Sequence, residues 1–105
     1  MKKLVICLVS LVVFSGVSFA NDSENCKSIA NFAAVVMEKR QAGTAMDAMI
    51  DLIHGSESDN GLRKVLESII LRAYENPRYG TEEFKKRSVN DFRNDIYVEC
   101  YRSTL

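Results

Sequence analysis

Apolar residues recur through most of the chain at intervals of three and four, the spacing that places side chains on one face of an α-helix. In the first such stretch the apolar positions are Cys26, Ile29, Ala30, Ala33, Val36 and Met37. Gly43 follows, and glycine readily takes the left-handed conformation that ends many helices. The pattern therefore predicts a first helix from about residue 24 to residue 42.

Two further stretches continue the helical pattern. Thr44 is a suitable N-cap for a short second helix that ends at Gly55. After the polar, turn-prone segment SESDN, the segment GLRKVLESIILRAYEN has a wide apolar stripe, which predicts that the third helix is the most buried one. Pro77 ends this helix, because the residue before a proline avoids helical geometry.

The fourth helix is predicted to begin after Thr81, a suitable N-cap that two glutamates follow. One face is predicted to carry Phe84, Ser88 or Val89, Phe92, Ile96 and Cys100. No segment of useful length alternates as a β-strand does. Four consecutive helices with short connections predict an all-α fold, a small antiparallel four-helix bundle with up-down-up-down topology.

The first twenty residues have the pattern of a secretory signal peptide. MKK is a short positive segment, LVICLVSLVVF is apolar, and Ser18 and Ala20 are the small residues that a signal peptidase recognises. A membrane-spanning helix is the alternative, but the apolar run is short and is interrupted after Phe14. We therefore expect cleavage near residue 20, a single helical domain over residues 21–105, a periplasmic or secreted location, and no membrane contact after cleavage.

The cysteines support the predicted topology. Cys7 lies inside the predicted signal peptide, which leaves Cys26 and Cys100 in an oxidising compartment. Up-down-up-down topology places the start of the first helix and the end of the fourth at the same end of the bundle. We therefore predict a Cys26–Cys100 disulfide, with two free thiols or an intermolecular bridge as the alternative.

The charge balance argues against a nucleic-acid-binding protein. The chain carries 14 basic and 14 acidic residues, and removal of Lys2 and Lys3 with the signal peptide leaves the domain slightly acidic. The single basic run, residues 85–87, follows two glutamates and is typical of a solvated helix face. No glycine-rich phosphate-binding loop is present, and no cofactor is predicted.

One group of residues has the chemistry of a metal site. Asp47, Asp51 and His54 are spaced by four and three residues, which places them on one side of the second helix. Two carboxylates and an imidazole can hold a metal ion, so a small metal-dependent hydrolase is the alternative function. An ordinary polar face is the preferred interpretation, because the chain has no second histidine and because a histidine suits the end of a helix. We therefore predict no catalytic site and no enzymatic activity.

Tyrosine and arginine are concentrated at two places, the segment AYENPRYGTEEF and the last helix. A turn needs a helix breaker and a cap, but it does not need these two residue types, which dominate protein contact sites. The candidate contact residues are Tyr74, Arg78, Tyr79, Tyr97, Tyr101 and Arg102. The alternative is that the tyrosine rings pack in the core with their hydroxyls at the surface.

Three segments, CKSIANFAAVVMEKRQAG, AYENPRYGTEEFKKR and DFRNDIYVECY, resemble a group of small exported bacterial proteins of uncharacterised function. They cover most of the predicted mature chain, and the resemblance implies no activity. In size, export and helical content the chain is also similar to periplasmic immunity proteins that block cell-wall-cleaving toxins. The sequence thus predicts an exported binding protein, inhibitor-like or immunity-like, with an unidentified protein partner in the periplasm, and it leaves a homodimer open.

Overall fold

The computed structural model describes residues 23–56 and 59–105, and these residues contain four helices. Helix α1 covers residues 23–42, and the later helices are α2 (Met46–His54), α3 (Asn60–Glu75) and α4 (Glu82–Arg102). No β-strand occurs in the two described ranges. The all-α prediction is therefore confirmed, whereas the predicted signal peptide lies outside the described residues.

The helix ends follow the local chemistry of the sequence, with one correction. Gly43 has a φ of 91° after α1, as the sequence predicted. The hydroxyl oxygen of Thr81 accepts a hydrogen bond of 3.2 Å from the backbone N–H of Phe84 and so caps α4. The prediction that Thr44 caps α2 is wrong, since Ala45 is the N-cap and its side chain has no acceptor. Asp59 lies in the segment predicted as a loop. Its carboxylate oxygen caps α3 by accepting a 2.7 Å hydrogen bond from the N–H of Leu62.

Contacts between α1 and α4 and between α2 and α3 fit antiparallel packing. Cys26 of α1 is bonded to Cys100 of α4, and Arg93 of α4 donates a hydrogen bond of 3.1 Å to Asn31 of α1. On the other side of the bundle, His54 at the end of α2 lies 2.9 Å from Glu67 of α3. The predicted up-down-up-down topology is confirmed. We name the two ends of the bundle the disulfide end and the connector end, the latter holding residues 76–80 between α3 and α4.

The disulfide joins the first and last helices as predicted. Its two Cα atoms are 5.5 Å apart, the half-cystines are 74 residues apart in sequence, and Cys26 is 1% exposed. In the chain-entropy estimate, a cross-link closing a loop of this length stabilises the folded state by about 4.5 kcal/mol. This is a large fraction of the stability of a small domain.

The core runs along the bundle axis between all four helices. Its buried members are Ala33, Val36, Met37, Met49, Ile53, Ile69, Ile70, Ala73, Phe92 and Ile96. Helix α1, not α3, contributes the most buried residues, so that prediction is wrong. Because α2 ends at His54, opposite Glu67, it does not reach the first turns of α3, where Leu62 is 41% exposed and Val65 is 44% exposed.

Phe84 does not lie on the buried face of α4, contrary to the prediction. Its side chain is 47% exposed. Successive helical residues are about 100° apart, so Phe84 is rotated by about 80° from the buried Phe92. Lys85 lies closer to the buried direction, and its side chain is 28% exposed, as expected when the aliphatic stem of a lysine covers apolar surface. The start of α4 therefore presents an aromatic ring to solvent.

Candidate functional site

The connector between α3 and α4 lies across the C-terminal end of α1. Helix α3 ends at Asn76, which is extended with φ −78° and ψ 147°. The side-chain amide of Asn76 donates a 2.9 Å bond to the carbonyl of Arg72, and Arg40 of α1 donates a 3.0 Å bond from Nε to the carbonyl of Asn76. These bonds fix the first residue of the connector to the bundle.

Gln41 holds the centre of the connector. Its side chain is buried, at 3% exposure, although it is polar. The amide nitrogen donates a 2.9 Å bond to the carbonyl of Pro77, and the amide oxygen accepts a 2.8 Å bond from the N–H of Tyr79. One side chain thus fixes the backbone on both sides of Arg78. Because a buried amide is costly unless its donors and acceptors are paired, this arrangement favours a single conformation of the connector.

Sequence reasoning did not identify Gln41. The available signal was its position four residues after Met37, which places it on the buried face of α1. A glutamine on a buried face needs polar partners, and the connector supplies them. The partners themselves are more than 35 residues away in sequence.

Arg78 lies against the end of α1 and is also exposed. Its Nε donates a 3.4 Å bond to the carbonyl of Gln41. The guanidinium group approaches Gly43 so closely that a Cβ at that position would lie 3.1 to 3.3 Å from its atoms. Glycine is therefore favoured at position 43 by its positive φ, and a side chain there would displace the flexible end of Arg78.

Beside the connector, an exposed row of side chains continues onto α4. The ring centroids of Tyr79 and Phe84 are 6.1 Å apart, and these residues are 38% and 47% exposed. The guanidinium carbon of Arg87 lies 5.2 Å from the centroid of Phe84, within the range of a cation–π contact. We call Arg78, Tyr79, Phe84 and Arg87 the connector surface. Phe84 and Arg87 were not among the contact residues predicted from the sequence.

A groove lies between the end of α1 and the start of α4, on a different face of α4 from Phe84 and Arg87. Its volume is about 540 Å³. Gln41, Ala42 and Val89 contribute to its lining, together with acidic and basic side chains such as Glu38 and Lys86. The groove therefore offers apolar contact area with charges of both signs around it.

Tyr74 has a structural position inside the bundle. Its hydroxyl donates a 2.6 Å bond to the carbonyl of Thr44, and the guanidinium carbon of Arg40 lies 5.2 Å from the ring centroid. Burial raises the pKa of Tyr74, while the positive charge of Arg40 acts in the opposite direction. Tyr74 thus connects α3 to the segment between α1 and α2. Its partly buried ring packs against the core, which fits the alternative interpretation of the tyrosines.

The remaining candidate contact residues lie at the other end of the bundle. The rings of Tyr97 and Tyr101 are stacked with centroids 6.0 Å apart, and Tyr101 is 46% exposed. Arg102 is exposed beside them. The six candidates therefore do not form one surface, since Arg78 and Tyr79 lie at the connector end and these three lie at the disulfide end.

The predicted metal-binding group has other contacts. His54 lies 2.9 Å from Glu67 of α3, and a carboxylate oxygen of Asp47 accepts a 3.0 Å bond from the N–H of Ala48. Within residues 23–56 and 59–105, no group of three histidine, cysteine, aspartate or glutamate side chains is arranged to hold a metal ion. The metal-dependent hydrolase stays a prediction that none of these contacts supports.

Comparison with known proteins gives no relative from which a function can be transferred. No protein-family model matches the chain, and neither the curated proteins nor the solved structures contain a match. None of the helices in the described part of the chain is both long enough and apolar enough to cross a membrane. Functional reasoning therefore depends on the surface geometry of the bundle.

Proposed function

We propose that this protein is an exported helical binding protein, without catalytic activity of its own, that binds another protein through the connector surface. The observation that carries the proposal is the buried Gln41, which bonds to Pro77 and Tyr79 and so holds the exposed Arg78 and Tyr79 in one arrangement. The disulfide supports the export part of the proposal, since disulfides persist in oxidising compartments.

A fixed connector lowers the entropy lost on binding. Ordering a flexible side chain at an interface costs roughly 0.5–1.5 kcal/mol. Here the backbone of residue 79 is already held by Gln41, and the ring of Tyr79 already lies against Phe84. A partner that covers the rings therefore gains the burial of exposed aromatic area at a reduced entropic cost.

The composition and surroundings of the connector surface also suit a protein partner. Tyrosine and arginine are enriched among the residues that contribute most to binding free energy, and such residues act best at the centre of a patch that excludes water. Four side chains are too few for a stable interface, which buries about 800 Å² on each partner. A groove of about 350 Å³ that Tyr79 helps to line provides further area for a partner side chain. An inhibitor or immunity role is one instance of this function.

The test compares two exposed tyrosines at opposite ends of the bundle. The purified protein, a Tyr79→Ala variant and a Tyr101→Ala control are immobilised and exposed to periplasmic extract, after circular dichroism has shown that all three are folded. We expect Tyr79→Ala to weaken capture of specific partners by roughly tenfold or more, in line with loss of a main contact residue. The control should retain them. A folded Tyr79→Ala variant that captures the same proteins in the same yield would contradict the proposal.

A further inference from the structure

The outward face of α4 carries an exposed apolar strip near its C-terminus. Val98 is 48% exposed, Tyr101 is 46% exposed and Leu105 is 91% exposed, and with Asn94 they recur at spacings of four, three and four. This face points away from the buried Phe92 and Ile96. Backbone bonds extend the helical turn beyond Arg102, including one of 3.3 Å from the N–H of Leu105 to the carbonyl of Arg102. The three apolar residues of the strip therefore span eight positions, or about two turns.

Two opposite charges flank this strip on the same side. Asp95 and Arg102 are both exposed and are seven residues apart, which places them about 10 Å apart along the axis and on nearly the same face. Neither makes an ion pair with any residue in the described ranges. Both charges are therefore available to a partner that covers the strip.

We infer that a second copy of this chain covers the strip, with the two α4 helices antiparallel about a two-fold axis. In that arrangement Val98 packs against Tyr101 of the second copy, and the symmetry repeats the contact. Along the flank, Asp95 faces Arg102 of the second copy, again twice. In a parallel pairing the two copies of each flanking residue would lie on opposite sides of the interface, so Asp95 would not meet Arg102 of the second copy. The order of charges along α4 thus fits antiparallel self-association in particular.

The expected association is weak and leaves the connector surface free. The strip covers eight residues, or about 12 Å along the helix, which is less than a standard interface requires. A dissociation constant of roughly 10–1,000 µM is therefore expected. Because the strip lies at the disulfide end, the two connector surfaces of such a dimer lie at its opposite ends. The inference is thus independent of the proposed binding function.

The test uses charge reversal at the two flanking positions. Sedimentation equilibrium of the purified protein at about 10 µM to 1 mM should show a monomer–dimer equilibrium. Asp95→Arg alone and Arg102→Asp alone each place like charges at both contacts, so each should weaken association by roughly tenfold or more. Lys39→Asp, which changes the net charge as Arg102→Asp does but lies on α1, should leave association unchanged.

Mixing the two charge-reversal variants gives the decisive measurement. In a mixed dimer, position 95 of each chain faces an opposite charge at position 102 of the other, so association should recover to near the unmodified level. Val98→Asp, which places charge in the apolar strip, should abolish association in every combination. A protein that is monomeric throughout the concentration range, or a mixture that associates no better than either variant alone, would overturn the inference.

Discussion

Gln41 offers the sharpest test of how the connector is held. Replacing it with methionine keeps a side chain of similar length and volume but removes the amide oxygen and the amide nitrogen. The carbonyl of Pro77 then loses a donor at 2.9 Å, and the N–H of Tyr79 loses an acceptor at 2.8 Å. Packing around the buried site is largely retained, so the Gln41→Met variant isolates the hydrogen bonds.

The magnitude follows from these two bonds. Each contributes a net ~1 kcal/mol, and a backbone group left buried without a partner costs about 1–3 kcal/mol. Water can reach the half-exposed connector and bond to the freed groups, so we expect the lower part of that range. Gln41→Met should reduce the free energy of unfolding by about 2 kcal/mol, and Gln41→Ala by about 3 kcal/mol, because alanine also leaves a cavity.

Urea denaturation measures the global effect, and amide hydrogen exchange measures the local one. The midpoint should fall without a change in slope, because the surface exposed on unfolding is nearly the same. The N–H of Tyr79 should exchange faster in the Gln41→Met variant, while amides at the disulfide end change only by the global loss. If the free energy of unfolding stays within about 0.5 kcal/mol of that of the unmodified protein and the N–H of Tyr79 remains equally protected, Gln41 does not hold the connector.

Two further predictions concern the Cys26–Cys100 disulfide and the partly buried Tyr74. Replacing both half-cystines with serine should lower the free energy of unfolding by about 2–4.5 kcal/mol in urea denaturation, and an unchanged midpoint would contradict the assigned role of the cross-link. Burial raises the pKa of Tyr74 above its ordinary value of 10.0, so above that pH the unfolded chain releases a proton that the folded protein retains. The resulting contribution to stability is fully present below pH 10.0 and is lost as the pH rises through the higher pKa of the folded state. Tyr74→Phe should remove this part of the alkaline loss, measured as denaturation midpoints at about pH 9 and 11; an equally steep loss in the variant would assign it to other groups.

The helices and their order could be predicted from sequence because local signals determine them. Apolar spacing, Gly43 and Pro77 marked the elements. Short connections, together with Cys26 and Cys100, favoured the antiparallel order that the structure confirms. The predicted burial of Phe84 was wrong because apolar residues near the start of α4 fit more than one helical face. The choice between those faces depends on where α1 and α3 lie, which no local pattern contains.

The site was predictable only in part, for a similar reason. Arg78 and Tyr79 were predicted as contact residues because arginine and tyrosine are common at protein contact sites. Gln41 was missed because its role depends on backbone groups of the connector, far along the chain. Tyr74 was assigned to contact by type, whereas its hydroxyl is used by the carbonyl of Thr44. Residue type thus indicates an available interaction, and the fold decides whether it is made within the chain.

The cross-link between α1 and α4 also determines where the chain can be closed into a ring and where a fusion partner or label can be attached. Because the Cα atoms of Cys26 and Cys100 are 5.5 Å apart, residues 23 and 105 leave the bundle close together. A short peptide joining them would permit a circular permutant opened in the segment between α2 and α3, with backbone closure replacing the sulfur bridge. A fusion partner, label or solid support attached at residue 105 would stand about 30 Å from Tyr79, the length of α4, and would leave the connector end exposed.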